Sequence, residues 1–279
     1  MKDNRQKISN CDRIISEYYD GHVAGKIKGY VEGNPRVESA WRTVCEWAGK
    51  APDKILEVGC GIGDVCWRMS RLWPQAEIVG VDISPESLNI ARQLFPSPRI
   101  SFVDGGIPGS SIGGPFDLIV LMDVYEHVPV QERTVFNRSL REARGGQGRM
   151  ILSFPTPRHQ AWLREFKPEL LQPVEEDIDL SMILALAGET ATEVLAYREV
   201  DVWHEGDYAH AVLGTRTGWV AISKAVFPRR RVRDYVRSLL NEDEEPLVPS
   251  REKRCALVRQ QLGFDAYPGP GRKNARPSS

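Results

Sequence analysis

Residues 54–64 read Lys-Ile-Leu-Glu-Val-Gly-Cys-Gly-Ile-Gly-Asp, an apolar run that ends in glycines at alternate positions. Ile55, Leu56 and Val58 are strand formers, and Val65, Trp67, Met69 and Leu72 begin a helical pattern behind the glycines. A strand, a tight turn and a helix start bring bare backbone to one point, which is how α/β proteins hold nucleotide-like ligands. The spacing is Gly-x-Gly-x-Gly, whereas the dinucleotide fingerprint is Gly-x-Gly-x-x-Gly. Glu57, two residues ahead of Gly59, gives the turn a sign. A carboxylate at that strand end repels a phosphate and favours an amine or a sulfonium.

Other candidate groups close later strands. Asp82 ends the short apolar run from Ala76. It lies about twenty residues past the glycines, the offset at which a carboxylate grips both hydroxyls of a ribose. Ser84-Pro85-Glu86 supplies its own cap and first-turn proline for the next helix, which leaves Asp82 free of that duty. Asp104 ends a third strand. Phe116 to Val124 is a nearly continuous apolar strand, followed by Tyr125-Glu126-His127-Val128-Pro129. Ligands of open α/β sheets lie off the carboxyl ends of the strands, so this segment is aimed at the reacting centre.

His127 is the first candidate for a general base, because imidazole titrates near neutrality. It reads equally well as a structural histidine that ties down the following helix. His159, His204 and His210 stand at other strand-end or hairpin positions and are further candidates. Asp123, Glu126 and His127 could ligate a hard cation. Strand and turn geometry directs them apart, so no metal site is expected.

These residues need a frame. Residues 5–20 have helical spacing; Gly21, Gly25, Gly29 and Gly33 then make a poor helix, expected as a mobile lid segment. Asn34-Pro35 starts a helix through Trp47. Further helices are expected at 84–94 and 131–144, with a Gly/Ser/Pro-rich loop at 108–115 between them. Gly145 to Gly148 is expected as a turn into a fifth strand over 149–154. Residues 160–190 read as helix, proline-bounded loop and helix. Glu193–Trp203 and Tyr208–Thr215 read as a β-hairpin. Beyond Phe227 come a basic helix with Arg229, Arg230 and Arg231, an acidic run, a helix over 250–262 and a Pro/Gly/Arg tail expected to be disordered.

The 279 residues are 41% hydrophobic, enough for one large α/β domain with additions. A net charge of −1 gives no global field for nucleic acid or membrane. Five scattered cysteines without metal-ligand spacing read as reduced thiols, and the location is expected to be cytoplasmic. The first residues lead into no secretory-type apolar run, and nothing approaches the roughly 20 apolar residues of a membrane span.

Glu57-x-Gly59-x-Gly61-x-Gly63, paired with Asp82, resembles the first motifs of the class I S-adenosylmethionine-dependent methyltransferases. Asp123-Val124-Tyr125-Glu126-His127-Val128 is similar to the matching segment of the ubiquinone-biosynthesis type of small-molecule O-methyltransferases. The resemblance covers about residues 53–155. It implies an α/β, Rossmann-like fold with a seven-stranded, mainly parallel sheet and helices on both faces. It further implies an N-terminal helical lid (1–50), a catalytic domain (51–220) with an acceptor-site insertion at 156–190, and a C-terminal extension (221–279).

The implied cofactor is S-adenosyl-L-methionine, held by Tyr19, Glu57, Gly59, Cys60, Gly61, Asp82, Ile83, Asp104, Gly105, Met122 and Asp123. Asp104 would meet the adenine amino group, and Tyr18 and Tyr19 would cover the methionine end, unless they are simply core aromatics. The expected reaction is methyl transfer to an oxygen of a small molecule or sugar-like metabolite, with His127, His159 or His204 as the base. Two other readings stand: methylation of a peptide, protein or RNA, and a non-catalytic cofactor-binding scaffold. The core shows no aromatic-plus-basic platform for nucleic acid. The expected partner is a small-molecule acceptor, and a homodimer is left open.

Overall fold

The computed structural model describes residues 10–48, 51–106, 114–216 and 248–264. Seven strands form one sheet in the order β3-β2-β1-β4-β5-β7-β6. They are β1 (Lys54–Val58), β2 (Glu77–Asp82), β3 (Ile100–Asp104), β4 (Phe116–Met122), β5 (Arg144–Pro155), β6 (Glu193–Val200) and β7 (Tyr208–Gly214). β1 to β5 are mutually parallel, and β7 pairs antiparallel with both β5 and β6. The order reverses between β1 and β4, so their carboxyl ends flank the crevice where such sheets bind ligands. Both strands are buried on both faces, which explains why they read as continuous apolar runs.

Helices cover the two faces. α1 (Asn10–Gly21), α2 (Val23–Glu32) and α3 (Pro35–Trp47) precede the sheet; α4 (Asp64–Leu72) and α5 (Pro85–Leu94) follow β1 and β2. α6 (Val130–Ala143), α7 (Pro157–Phe166) and α8 (Leu180–Glu189) come between β4 and β6, and α9 (Arg251–Leu262) closes the described chain. Expected caps are in place: Asn34 accepts from the Arg36 N–H at 3.2 Å, and Ser84 from the Ser87 N–H at 3.0 Å. Arg68, only 2% exposed, reaches Glu38 at 2.7 Å and Asp64 at 3.0 Å, which ties α3 to α4.

Two expectations are corrected. The glycine-rich segment after Gly21 is a regular helix, α2, despite its poor propensity. Its Val23, Ile27, Tyr30 and Val31 are buried against Ile62, Leu94, Phe95 and Val258 of α9, and this tertiary burial outweighs the glycine penalty. β5 begins at Arg144, so residues 145–148 belong to the strand rather than to a turn before it. Arg144 pairs with Phe116 across a register shift, and its guanidinium donates to the carbonyls of Gly145, Gly146 and Gly148. The basic helix with Arg229, Arg230 and Arg231, the acidic run, most of the 108–115 loop and the Pro/Gly/Arg tail from Tyr267 lie outside the described residues.

Candidate active site

The glycine turn opens on a cavity of about 530 Å³ at the carboxyl edge of β1, β2 and β4. Gly59 has φ +69°, and a Cβ there would come within 2.4 Å of Val124 Cγ2. Gly63 has φ +83°, and a Cβ there would lie 2.7 Å from the Phe102 ring. Left-handed backbone and close packing together demand glycine at both positions. Asp82 locks the turn: its Oδ2 accepts from the Gly61 N–H at 2.7 Å and its Oδ1 from the Ser84 N–H at 2.9 Å. Each carboxylate oxygen keeps a further lone pair for a ligand.

α1 and α2 form the roof of this cavity. Ser16 donates to the Ile83 carbonyl at 2.8 Å, Asp20 accepts from the Ser84 hydroxyl at 2.6 Å, and Lys26 donates to Ser87 at 2.8 Å. Glu57 forms part of the wall. It is 3% exposed, its Oε2 has no partner, and burial pushes its carboxyl up to about 8. A buried carboxyl with one free oxygen beside a cavity is held neutral while alone, and an arriving cationic group would restore its charge.

Asp123 stands at the end of β4 with φ +55°, a strained conformation for a residue with a side chain. Its carboxylate lies 3.2 Å from Arg36 Nε. The Asp123 charge raises the Arg36 pKa, and Arg36 also donates to the Tyr208 hydroxyl at 3.4 Å. His127 follows in a 3-10 turn (Tyr125–His127). Its Nδ1 contacts the Val174 carbonyl at 2.8 Å, which makes Nδ1 the protonated nitrogen. Nε2 then carries the lone pair, 3.7 Å from Glu126 Oε1. Burial lowers the His127 pKa, so the ring is a neutral acceptor of protons at neutral pH.

A second, smaller cavity of about 160 Å³ adjoins the first, and Arg36, His127 and Gln172 line both. Gln172, in the loop between α7 and α8, accepts from the Tyr19 hydroxyl at 2.6 Å. That bond joins the roof to the 156–190 segment.

Of the residues expected at the site, Tyr19, Glu57, Gly59, Cys60, Gly61, Asp82, Ile83, Gly105, Met122 and Asp123 line the large cavity. Asp104 does not; it is exposed at the β3 edge. His127 lines both cavities and His159 the smaller one. His204 lines neither: it is exposed in the β6–β7 hairpin with its ring 5.2 Å from Trp162. His210 is a core residue, bonded through Nδ1 to Thr43 at 2.7 Å, and burial lowers its pKa to about 4. Reading the sequence missed Arg36, Gln160, Gln172, Glu175 and Tyr208. One signal existed for Arg36: a cation in the first turn of a helix opposes the helix dipole and calls for an acidic partner elsewhere.

A family model described as a methyltransferase domain matches residues 55–146. That stretch, about a third of the chain, matches as a methyltransferase domain. The mitochondrial ubiquinone biosynthesis O-methyltransferase of Schizosaccharomyces pombe is 35% identical over 105 residues, 36% of this chain and 37% of that protein. Norajmaline N-methyltransferase of Rauvolfia serpentina is 24% identical over 189 residues, 63% of each chain. The matched stretch thus spans between about a third and two thirds of these relatives. Among solved structures, magnesium protoporphyrin IX methyltransferase of Synechocystis PCC 6803 with bound SAH has a TM-score of 0.58 at 18% identity, over 74% of this chain and 99% of that one. This likeness is one of fold. The matched domain includes the glycine turn, Asp82, Asp123 and His127, whereas the 156–190 segment and the β6–β7 hairpin lie beyond it. Among the described residues, no helix is long and apolar enough to cross a membrane.

Proposed function

We propose that the protein transfers a methyl group from S-adenosyl-L-methionine to an oxygen of a small-molecule acceptor, with His127 as the base. The observation that carries this reading is the junction of two chambers at His127, one built on the glycine turn and one behind it. The large chamber fits the donor. Asp82 and the turn suit a nucleoside, and the Glu57 carboxyl, with its Oε2 unpartnered, suits a cationic amino-acid end. When bound, the donor supplies an activated methyl on a sulfonium centre.

The chain's own task is alignment and the removal of one proton. Nε2 of His127 takes that proton from the acceptor hydroxyl, and the Val174 carbonyl keeps Nδ1–H in place while it does so. Relatives acting on oxygen and on nitrogen both occur, so the oxygen assignment rests on the presence of a poised base, which a neutral amine would not need.

Isothermal calorimetry tests the donor half. S-adenosylhomocysteine binds and NADH does not; the reverse result would sink the reading. Transfer of labelled methyl to a hydroxylated acceptor, but not to the corresponding amine, tests the other half.

A further inference from the structure

The second chamber differs from an ordinary small-molecule pocket, which is mostly apolar with a few polar groups. Glu126, His159, Gln160 and Glu175 face it, and its apolar lining is limited to Pro155, Leu163, Leu170 and the ring of Trp203. Two side-chain oxygens in its wall lack a partner: Glu126 Oε2 and Gln160 Oε1, on residues each 1% exposed. Both oxygens lie sealed just beneath the wall; a buried oxygen without a donor costs about 1–3 kcal/mol, so a side-chain rotation that brings either to the chamber is repaid by a ligand hydrogen-bond donor.

Charge narrows the class. Among the described residues Arg36 is the one cation of the lining, and Asp123 already neutralises it at 3.2 Å. A carboxylate or phosphate would face Glu126 and Glu175 without a free counter-charge. An ammonium ion would offer donors only. The Tyr208 hydroxyl and the His159 ring both donate and accept, and a hydroxyl matches them in both senses. Burial also raises the pKa of Glu126 and of Glu175, which weakens their pull on an ammonium.

Trp203 completes the pattern. It is 49% exposed, with its ring 5.7 Å from Tyr208 and 6.4 Å from His159. A flat apolar face beside hydrogen-bonding groups suits the C–H face of a saturated ring.

We propose that the second chamber takes a hydroxyl-rich saturated ring, a glycosyl or cyclitol group, as the methyl acceptor. Glu126 and Gln160 receive its hydroxyls and Trp203 its C–H face. The proposal rests on the methyltransferase reading for the identity of the neighbouring chamber, but the ligand class follows from this chamber alone.

Saturation-transfer NMR on the full chain, with and without S-adenosylhomocysteine, tests it. The probes are methyl hexopyranosides, myo-inositol, cyclohexylmethanol and cyclohexylmethylamine. The glycosides or the inositol bind, and whichever gives the stronger signal identifies the source of the ring. Gln160→Leu removes the signal. Trp203→Ala, a change at an exposed position, weakens binding about tenfold, the equivalent of 1.4 kcal/mol. In both variants S-adenosylhomocysteine affinity stays at the wild-type value. If Gln160→Leu fails to fold, Trp203→Ala decides alone.

Preferential binding of the amine or of the mono-alcohol overturns the proposal. So does silence from both polyols at their solubility limit in protein that binds S-adenosylhomocysteine. Failure of S-adenosylhomocysteine itself to bind is a separate result: it strikes the donor reading, while polyol binding in the donor-free arm still decides the ligand class.

Discussion

The two chambers are built in opposite ways. The large chamber is organised around backbone: a turn of left-handed glycines, locked by Asp82 through two N–H groups of the chain itself. The small chamber is almost all side chain, gathered from α3, the turn after β4, α7, the loop before α8 and the β6–β7 hairpin. Backbone geometry tolerates few residue types but leaves the neighbouring side chains free. A wall of side chains can be changed one residue at a time without disturbing the fold. The first arrangement suits a ligand that stays the same, the second a ligand that differs between relatives.

The comparison breaks most visibly at His127, which belongs to both chambers. His127→Ala should lower turnover by roughly 10²–10⁴-fold, the usual worth of a general base. S-adenosylhomocysteine affinity should hold, because the donor is gripped elsewhere. Burial lowers the His127 pKa, and the neutral ring is the active form. The wild-type rate should therefore rise with pH along a limb below the ordinary imidazole value of about 6.5, and the variant should lose that limb. A matching loss of affinity and of melting temperature would mean that His127 only holds Val174 in place.

Asp82→Ala strikes the other side. It should weaken S-adenosylhomocysteine binding by roughly 1.5–3 kcal/mol, the scale of lost charge-assisted hydrogen bonds. The melting temperature should fall as well, since Gly61 and Ser84 lose their acceptor. Polyol binding in the second chamber should be nearly unchanged. Equal loss in both chambers would show that they form one unit.

Truncation after Pro249 removes α9 and with it fully buried Val258. Uncovering the roof in this way should cost roughly 1.5–3 kcal/mol of stability per apolar side chain exposed. Thermal denaturation should show the loss, and truncation after Phe264, which spares α9, should show none.

The smallest effect belongs to His210, in contact with Thr43 and α3 rather than with either chamber. Its folded pKa is held at about 4, against about 6.5 in the unfolded chain. The stability it contributes is complete above about pH 6.5 and is lost as pH falls toward 4, because the unfolded chain binds the proton first. In His210→Asn, the drop in urea midpoint between about pH 7 and about pH 5 should shrink. A change in turnover instead would return His210 to the site.

What could be read from the sequence follows the same division. Glu57, the glycines and Asp82 lie within one β-α-β unit, where local spacing fixes geometry, and Glu57, Gly59, Gly61 and Asp82 all line the large cavity, while Gly63 packs beneath it on Phe102. Asp104 shows the limit of that logic: it ends its strand as expected, yet only Gly105 and Gly106 beyond it reach the cavity. Arg36 and Tyr208 are 172 residues apart and meet only through the sheet order. No periodicity within either segment encodes that meeting. The sequence ranked His127 first among the four histidines, but it could not separate His159, His204 and His210, whose cavity, hairpin and core positions depend on tertiary contacts. The α2 helix was hidden for a related reason, because its stability comes from partners at Leu94, Phe95 and Val258 rather than from its own residues.

That last contact bears on how the protein is made. The apolar face of α2 leaves the ribosome early, while Val258 and the Arg254 guanidinium, 5.8 Å from the Tyr30 ring, are added more than two hundred residues later. At about 5–20 residues per second, the nascent chain waits on the order of ten seconds or more with that face unsealed. During this interval Val23, Ile27, Tyr30 and Val31 are the natural landing place for a holdase chaperone.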